Sequence, residues 1–118
     1  MASRKIEDCI PELQKKYILF REHMTRAGLD FIITCTKRFQ SEQEVLYAQG
    51  RTTPGKIVTW TLNSKHLQGR AFDIAMLKNG KLTWDEKDYK SAGEIGREIN
   101  LKWGGDFKKN KDYPHFEI

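Results

Sequence analysis

From Pro11 onward the apolar positions Leu13, Tyr17, Phe20, Met24 and Ala27 recur every three or four residues, the spacing of one helical face. Pro11 suits the first turn of such a helix, where its missing N–H would have no partner, and Gly28 suits the left-handed residue after the cap. Phe31 to Thr36 is β-branched and aromatic, which predicts a short buried strand. Ser41-Glu42-Gln43-Glu44 has the capping-box pattern and predicts a second helix over about 42–49, stopped by Gly50. Thr52-Thr53-Pro54-Gly55 is turn chemistry, and Ile57 to Leu62 alternates as a strand or an extended arm would. Ala71 to Leu77 reads as a strand. The Asn79-Gly80 pair after it favours a type I′ hairpin returning through Leu82-Thr83-Trp84. Ile95 and Ile99 stand four apart on a helix over about 89–99, weakened by Gly93 and Gly96. Trp103 to Asp106 is a loop and His115 to Ile118 a closing strand. Helices mixed with local hairpins predict an α+β fold, a mainly antiparallel sheet flanked by helices.

The 118 residues fit one small domain, and neither a repeat nor a linker divides them, so no second domain is expected. With 38% hydrophobic residues, a core can form without disulfide staples. The longest apolar runs, such as Phe31-Ile32-Ile33, fall far short of the ~20 residues of a membrane helix, so no membrane insertion is expected. Met1 to Asp8 carries charge but no apolar run behind it, so no secretory leader is expected and synthesis is predicted to end in the cytoplasm. Cys9 and Cys35 are too far apart for a CxxC motif and read as buried, inert thiols. A formal net charge of +5 favours a polyanionic partner. The densest basic run, Lys108-Lys109-Asn110-Lys111, is short, is flanked by Asp106 and Asp112, and reads as a solvated loop rather than a nucleic-acid contact.

Of three histidines, His23 reads as a surface residue of the first helix. The others stand in Ser64-Lys65-His66-Leu67-Gln68-Gly69-Arg70-Ala71-Phe72-Asp73 and Asp112-Tyr113-Pro114-His115-Phe116-Glu117. A mononuclear zinc enzyme needs three ligands from His, Asp, Glu or Cys and an open fourth position, and His66, Asp73 and His115 could supply them. Seven residues rise about 10 Å along a helix, so His66 and Asp73 meet only if the chain bends between them, and Gly69 is the residue best able to bend. The same residues also read as a surface loop histidine, a strand-end carboxylate and a partly exposed tail residue. Spacing alone leaves both readings open.

Ser64 to Asp73 resembles the S-x-H-x-x-G-x-A-x-D motif of metallopeptidases of the D-alanyl-D-alanine carboxypeptidase type, and Asp112 with His115 resembles their acid-x-x-H pair. Further similarity runs through Thr36-Lys37-Arg38, Gln43, Leu46 to Thr52, Pro54-Gly55 and Trp103 to Asp106, so it covers the chain from about residue 30. It is close to the L-alanyl-D-glutamate peptidase branch, which includes many phage endolysins. The resemblance implies a Hedgehog/DD-peptidase-like fold, zinc held by His66, Asp73 and His115, and Asp112 as catalytic base. It further implies that Arg38 faces a substrate carboxylate or the developing oxyanion. Ser64, Gln43 and Glu117 would support the site or the substrate, and Trp103 to Asp106 the loop beneath it. The implied activity is lytic hydrolysis of the L-alanyl-D-glutamate bond in the peptidoglycan stem peptide, by a monomer that acts on the wall after release and binds no nucleic acid. A carboxypeptidase acting on another bond with the same metal site, a basic nucleic-acid-binding domain and a silent wall-binding module are the competing expectations. Strand alternation puts Glu117 on the face of His115 and would favour it as base, whereas the acid-x-x-H spacing favours Asp112.

Overall fold

A computed structural model describes residues 2–118. Helix α1 (Pro11–Arg26) begins on Pro11 as expected, and Gly28 follows its end with φ +72°. Its Leu13, Tyr17, Phe20 and Met24 are buried, while Ala27 is exposed and His23 half-buried. Strand β1 (Asp30–Cys35) pairs antiparallel with β2 (Ala71–Lys78). Strand β2 in turn pairs with β3 (Lys81–Thr83) at one end and β5 (His115–Glu117) at the other, and β5 with the short β4 (Lys102–Trp103). Asn79 and Gly80 both have positive φ, as a type I′ turn requires. The α+β expectation is thus met by a five-stranded antiparallel sheet.

Alternation along β2 sends Phe72, Ile74 and Met76 to the face covered by α1 and α3 (Glu86–Glu98), where they join the core. The Phe20 ring centroid lies 4.9 Å from that of Phe116 and 5.5 Å from that of Phe72. Each such buried aromatic contributes roughly 1.5–3 kcal/mol through the area it removes from water. Gly93 and Gly96, which weaken α3 as an isolated helix, are where it packs closest. A Cβ on Gly93 would meet the Trp103 ring at 2.3 Å, and one on Gly96 would meet the Phe116 ring at 2.8 Å.

Two local expectations, the starts of two helices, need correction, and of the two alternatives for 57–62 the structure takes the second. Helix α2 spans Gln40–Ala48 rather than 42–49, and the carboxylate that caps it is Glu42, which accepts from the Phe39 N–H at 3.3 Å. Ser41 lies inside the helix, so the capping pattern is displaced by two residues. Residues 57–62 form an extended arm without strand pairing. Helix α3 starts at Glu86, because the Asp85 carboxylate caps it by accepting from the Lys87 N–H at 3.1 Å.

Candidate active site

The face of β2 opposite the core carries Asp73. In register, Asp73 lies across from His115 on β5 and from Cys35 on β1. A cross-strand pair of this kind stands side by side on one face, and His115 Nδ1 is 3.0 Å from Asp73 Oδ1. A bulge between Ile33 and Cys35 shifts the register of β1. Residues two apart would otherwise share a face, so the bulge lets Ile33 pack on the core while Cys35 turns to the Asp73 side.

His66 arrives from outside the sheet, on a 3-10 turn over Lys65–Gln68. Ser64 caps this turn by accepting from the His66 N–H at 3.2 Å. Gly69 ends it at φ +67°, the bend the spacing demanded, packed so that even a Cβ would crowd Cys9 and Ile10 at 3.3 Å. His66 Nε2 then sits 3.1 Å from the same Asp73 Oδ1. The opposite nitrogen, Nδ1, lies 2.6 Å from the Thr36 carbonyl oxygen, to which it donates. On His115 the roles are exchanged: Nε2 is 2.8 Å from Glu117 Oε1 and Nδ1 faces Asp73. Each imidazole thus has one N–H held by an oxygen and its other nitrogen turned to a shared carboxylate, the arrangement by which metal-ligating histidines are oriented.

The donor chemistry fits a metal. Donors around a tetrahedral zinc at ~2.0–2.2 Å lie about 3.3–3.5 Å apart, close to the separations of Asp73 from the two histidines. Asp73, Asp112 and His115 also offer donor atoms within 4.8 Å of one another, as do Cys35, His66 and Asp73. Cys35, however, approaches His66 on the Nδ1 side, at 3.7 Å, away from the nitrogen that faces Asp73. His66, His115 and Asp73 would therefore hold the ion, with Asp112 beside it: its Oδ2 is 4.0 Å from His115 Nδ1, and its side chain is half exposed.

Electrostatics follow from these contacts in the metal-free protein. Burial is the strongest single influence and works against charge on His66, yet hydrogen bonds to Asp73 and Cys35 and the charge of Asp73 together outweigh it and raise the pKa to about 10. A similar balance takes His115 to about 9. Burial would raise the Asp73 carboxyl, but hydrogen bonds from His115 and His66 hold it well below the ordinary carboxylate range. Desolvation in the cleft, then the Asp73 carboxylate, push Asp112 above its usual value.

Asp112 owes its place to the loop below. Its N–H donates to the Gly104 carbonyl at 2.9 Å, and a Cβ on Gly104 would fall 2.0 Å from the Asp112 carbonyl oxygen. Only glycine permits this approach. Trp103 Nε1 donates to the Tyr113 carbonyl at 2.7 Å and secures the next residue.

Arg38 reaches the site after β1. Its Nη2 lies 4.0 Å from Asp73 Oδ2 and 3.4 Å from Cys35 Sγ, and its Nη1 donates to Gln43 Oε1 at 2.9 Å. Gln43, fully buried, also donates to the Thr61 carbonyl at 2.6 Å and the Thr59 hydroxyl at 3.2 Å. All eight residues singled out in the sequence therefore converge on one region, although they come from five segments. Sequence reading missed Cys35, the Thr36 carbonyl and the arm carrying Trp60; their only signal was proximity to Thr36-Lys37-Arg38 and an unassigned alternation. The site opens into a cleft of about 600 Å³ that also includes Val58, Trp60, Phe107, Lys109 and Lys111.

Comparison with known proteins finds relatives in both sequence and fold. The profile of the D-alanyl-D-alanine carboxypeptidase family matches residues 58–118, which include His66, Asp73, Asp112 and His115. The chain belongs to that family. It is 40% identical over 103 residues to the peptidoglycan L-alanyl-D-glutamate endopeptidase CwlK of Bacillus subtilis (strain 168), covering 77% of this chain and 62% of that protein. It is 32% identical over 120 residues to the L-alanyl-D-glutamate peptidase of Escherichia phage T5, covering 92% and 78%. The chain thus spans somewhat under two-thirds of the length of the Bacillus relative. Among solved structures, the Serratia marcescens L-Ala D-Glu endopeptidase ChiX superposes with a TM-score of 0.77 at 24% identity, covering 100% of this chain and 88% of that one. The vancomycin-resistance D,D-dipeptidase VanXYg, in complex with a D-Ala-D-Ala phosphinate analogue, superposes at 0.66 with 16% identity, covering 93% and 50%. These two likenesses concern the fold of this family member.

Proposed function

We propose that this protein is a zinc-dependent peptidase that hydrolyses the amide between L-alanine and D-glutamate in peptidoglycan stem peptides and so lyses bacterial walls. The observation that carries the reading is the pair of histidines aimed at one carboxylate oxygen with their outer nitrogens held by Thr36 and Glu117. The names of the two sequence relatives support the choice of bond. His66, Asp73 and His115 are the residues that would hold zinc, which when bound lowers the pKa of a water to about 7 and polarises a carbonyl.

The chain's own groups do the rest. Asp112, with its raised pKa, takes the proton of the attacking water as the oxygen bonds to the alanyl carbonyl carbon. It returns that proton to the leaving nitrogen as the C–N bond breaks, so the products are a carboxylate and an amine. Arg38, braced by Gln43, offers a guanidinium to the negative charge that builds on the carbonyl oxygen or to a substrate carboxylate. Glu117 hydrogen-bonds His115 and serves to orient it rather than to act as base.

Mass spectrometry of purified peptidoglycan after digestion tests the reading. The expected products are stem peptides with a new N-terminal D-glutamate, formed with zinc, absent with chelator and restored by zinc. Release of D-alanine alone would make the protein a carboxypeptidase, the activity its family is named for. Hydrolysis by protein that elemental analysis shows to be metal-free would overturn the metal assignment.

A further inference from the structure

The segment from Phe39 to Leu62 exposes Phe39, Val45, Ile57, Val58, Trp60 and Leu62, and of these Val58 and Trp60 border the cleft that holds the metal ligands. Trp60 is 59% exposed, yet it is not loosely held. The Arg51 guanidinium lies 5.7 Å from its ring centroid and 3.9 Å from that of Tyr47, bridging the two rings. Arg51 is itself fixed through Nη1, which donates to the Tyr47 carbonyl at 2.7 Å and the Thr59 carbonyl at 3.2 Å. Gln43 holds the main chain on the other side of the ring, at Thr61. An indole braced in this way and open to a wet cleft is a preorganised platform, since little freedom remains to be lost when a flat ligand settles on it.

The chemistry of the cleft says which ligand. The arm presents neutral, apolar surface at Val58 and Trp60, whereas the loop at 107–112 brings Lys109 and Lys111 to the same cleft. If the bond cut is the one proposed above, on which this inference rests, the substrate is equally asymmetric. Beyond the scissile bond lie D-glutamate and the next residues with their free carboxylates, which suit the lysines. Before it lies a single L-alanine, acylated by the lactyl group of N-acetylmuramic acid, and this sugar is uncharged once its lactyl carboxyl is in an amide. At ~3.5 Å per residue of extended chain, the sugar ring begins roughly 7 Å from the reacting carbonyl. The enzyme therefore meets a saccharide within the cleft.

We propose that Trp60, braced by Arg51 and Tyr47, is a saccharide subsite that stacks on the muramyl ring and makes the enzyme prefer sugar-bearing stem peptides over free ones. The indole face meets the C–H face of the sugar, which removes apolar surface from water on both sides. Trp60 is a specificity residue and takes no part in the proton transfers.

The test compares wild type, Trp60→Ala and Trp60→Phe on two substrates with one peptide sequence. The first carries the disaccharide on L-alanine, and the second has an acetyl group in its place. The quantity read is the ratio of kcat/KM for the sugar-bearing to the acetylated peptide. Trp60→Ala should lower that ratio by roughly tenfold, the scale of losing one stacked ring, and Trp60→Phe should keep it within about threefold. An unchanged ratio overturns the subsite, whether both substrates slow together or neither does. Titration of N-acetylmuramyl-L-alanine, followed by NMR at the backbone amides of 57–66, gives a second readout that needs no turnover and can be repeated on Trp60→Ala. Binding that survives Trp60→Ala undiminished overturns the subsite as well. Wild-type product masses separately test which bond is cut, so a wrong bond and a wrong subsite give different results.

Discussion

Against α1 the sheet packs Phe72, Ile74, Met76 and Phe116 with Leu13, Phe20 and Met24, all but excluded from water, whereas the segment from Thr36 to Arg70 contributes no buried apolar side chain among the described residues. What that segment buries is polar: Thr36, Gln43, Ser64 and His66. The core side is held by area removed from water, which is insensitive to direction. The 36–70 side is held by hydrogen bonds, which are directional and place atoms: Ser64 places the turn of His66, Thr36 sets its tautomer, and Gln43 ties Arg38 to the arm. The function proposed above would use both: Asp73, His115 and Asp112 sit on or beside strands backed by the aromatic core, while Arg38 and the arm, which would face substrate, sit on a thinner wall.

The contrast is sharpest in stability. Phe72→Ala should destabilise the fold by about 3–5 kcal/mol through lost contact and a cavity, whereas Val58→Ala on the arm should stay within about 0.5 kcal/mol. Urea unfolding of both variants checks this, and equal losses would mean that the arm packs as a second core.

In catalysis the order reverses between two carboxylates that flank one histidine. Asp112→Asn should keep metal and fold but lose hydrolysis at least ~100-fold, the usual scale of a general base. Glu117→Gln should remain substantially active, since an amide oxygen can still accept from the His115 N–H. Metal content and turnover of both variants decide the matter: a dead, metal-loaded Glu117→Gln protein beside an active Asp112→Asn protein would exchange their roles.

Gln43→Ala tests whether hydrogen bonds alone hold the wall. It removes the bonds that Gln43 makes to Arg38 Nη1 and to the Thr61 carbonyl and should cost about 1–3 kcal/mol. Amide exchange should quicken at 57–62 and stay unchanged in β2; uniform quickening would show that the two sides unfold as one unit.

The smallest effect is a proton count. Without metal, His66 and His115 have pKa values raised to about 10 and 9, so both are protonated at pH 7, while a metal requires them neutral. Binding should release up to two protons, and affinity should therefore rise with pH until about 10, more steeply below about 9 where both histidines are protonated. Calorimetry of zinc binding in buffers of different ionisation enthalpy measures the release, and affinity independent of pH between 6 and 8 would contradict the paired histidines.

Most local structure was legible in the residues themselves, because its causes are local. Pro11 and Gly28 bracket α1, Asn79-Gly80 turns the hairpin, and Gly69 supplies the bend that lets a histidine seven residues away meet Asp73. The resemblance to a known family's motifs, rather than spacing alone, singled out the residues that converge. What failed locally was the cap of α2, where Glu42 serves the Phe39 N–H and Ser41 lies inside the helix, and the strand option for 57–62, which pairs with nothing regular. Tertiary structure decided the rest. The bulge before Cys35 exists because Ile33 must face the core while Cys35 faces Asp73. The Thr36 carbonyl selects a nitrogen of a histidine 30 residues away. Gly104 is required only because the chain returns over it at Asp112. Backbone preference acts over a few neighbours and can be read from them. The tautomer of a histidine, the reach of a guanidinium and the fit of one chain over another depend on groups that only folding brings within hydrogen-bond distance.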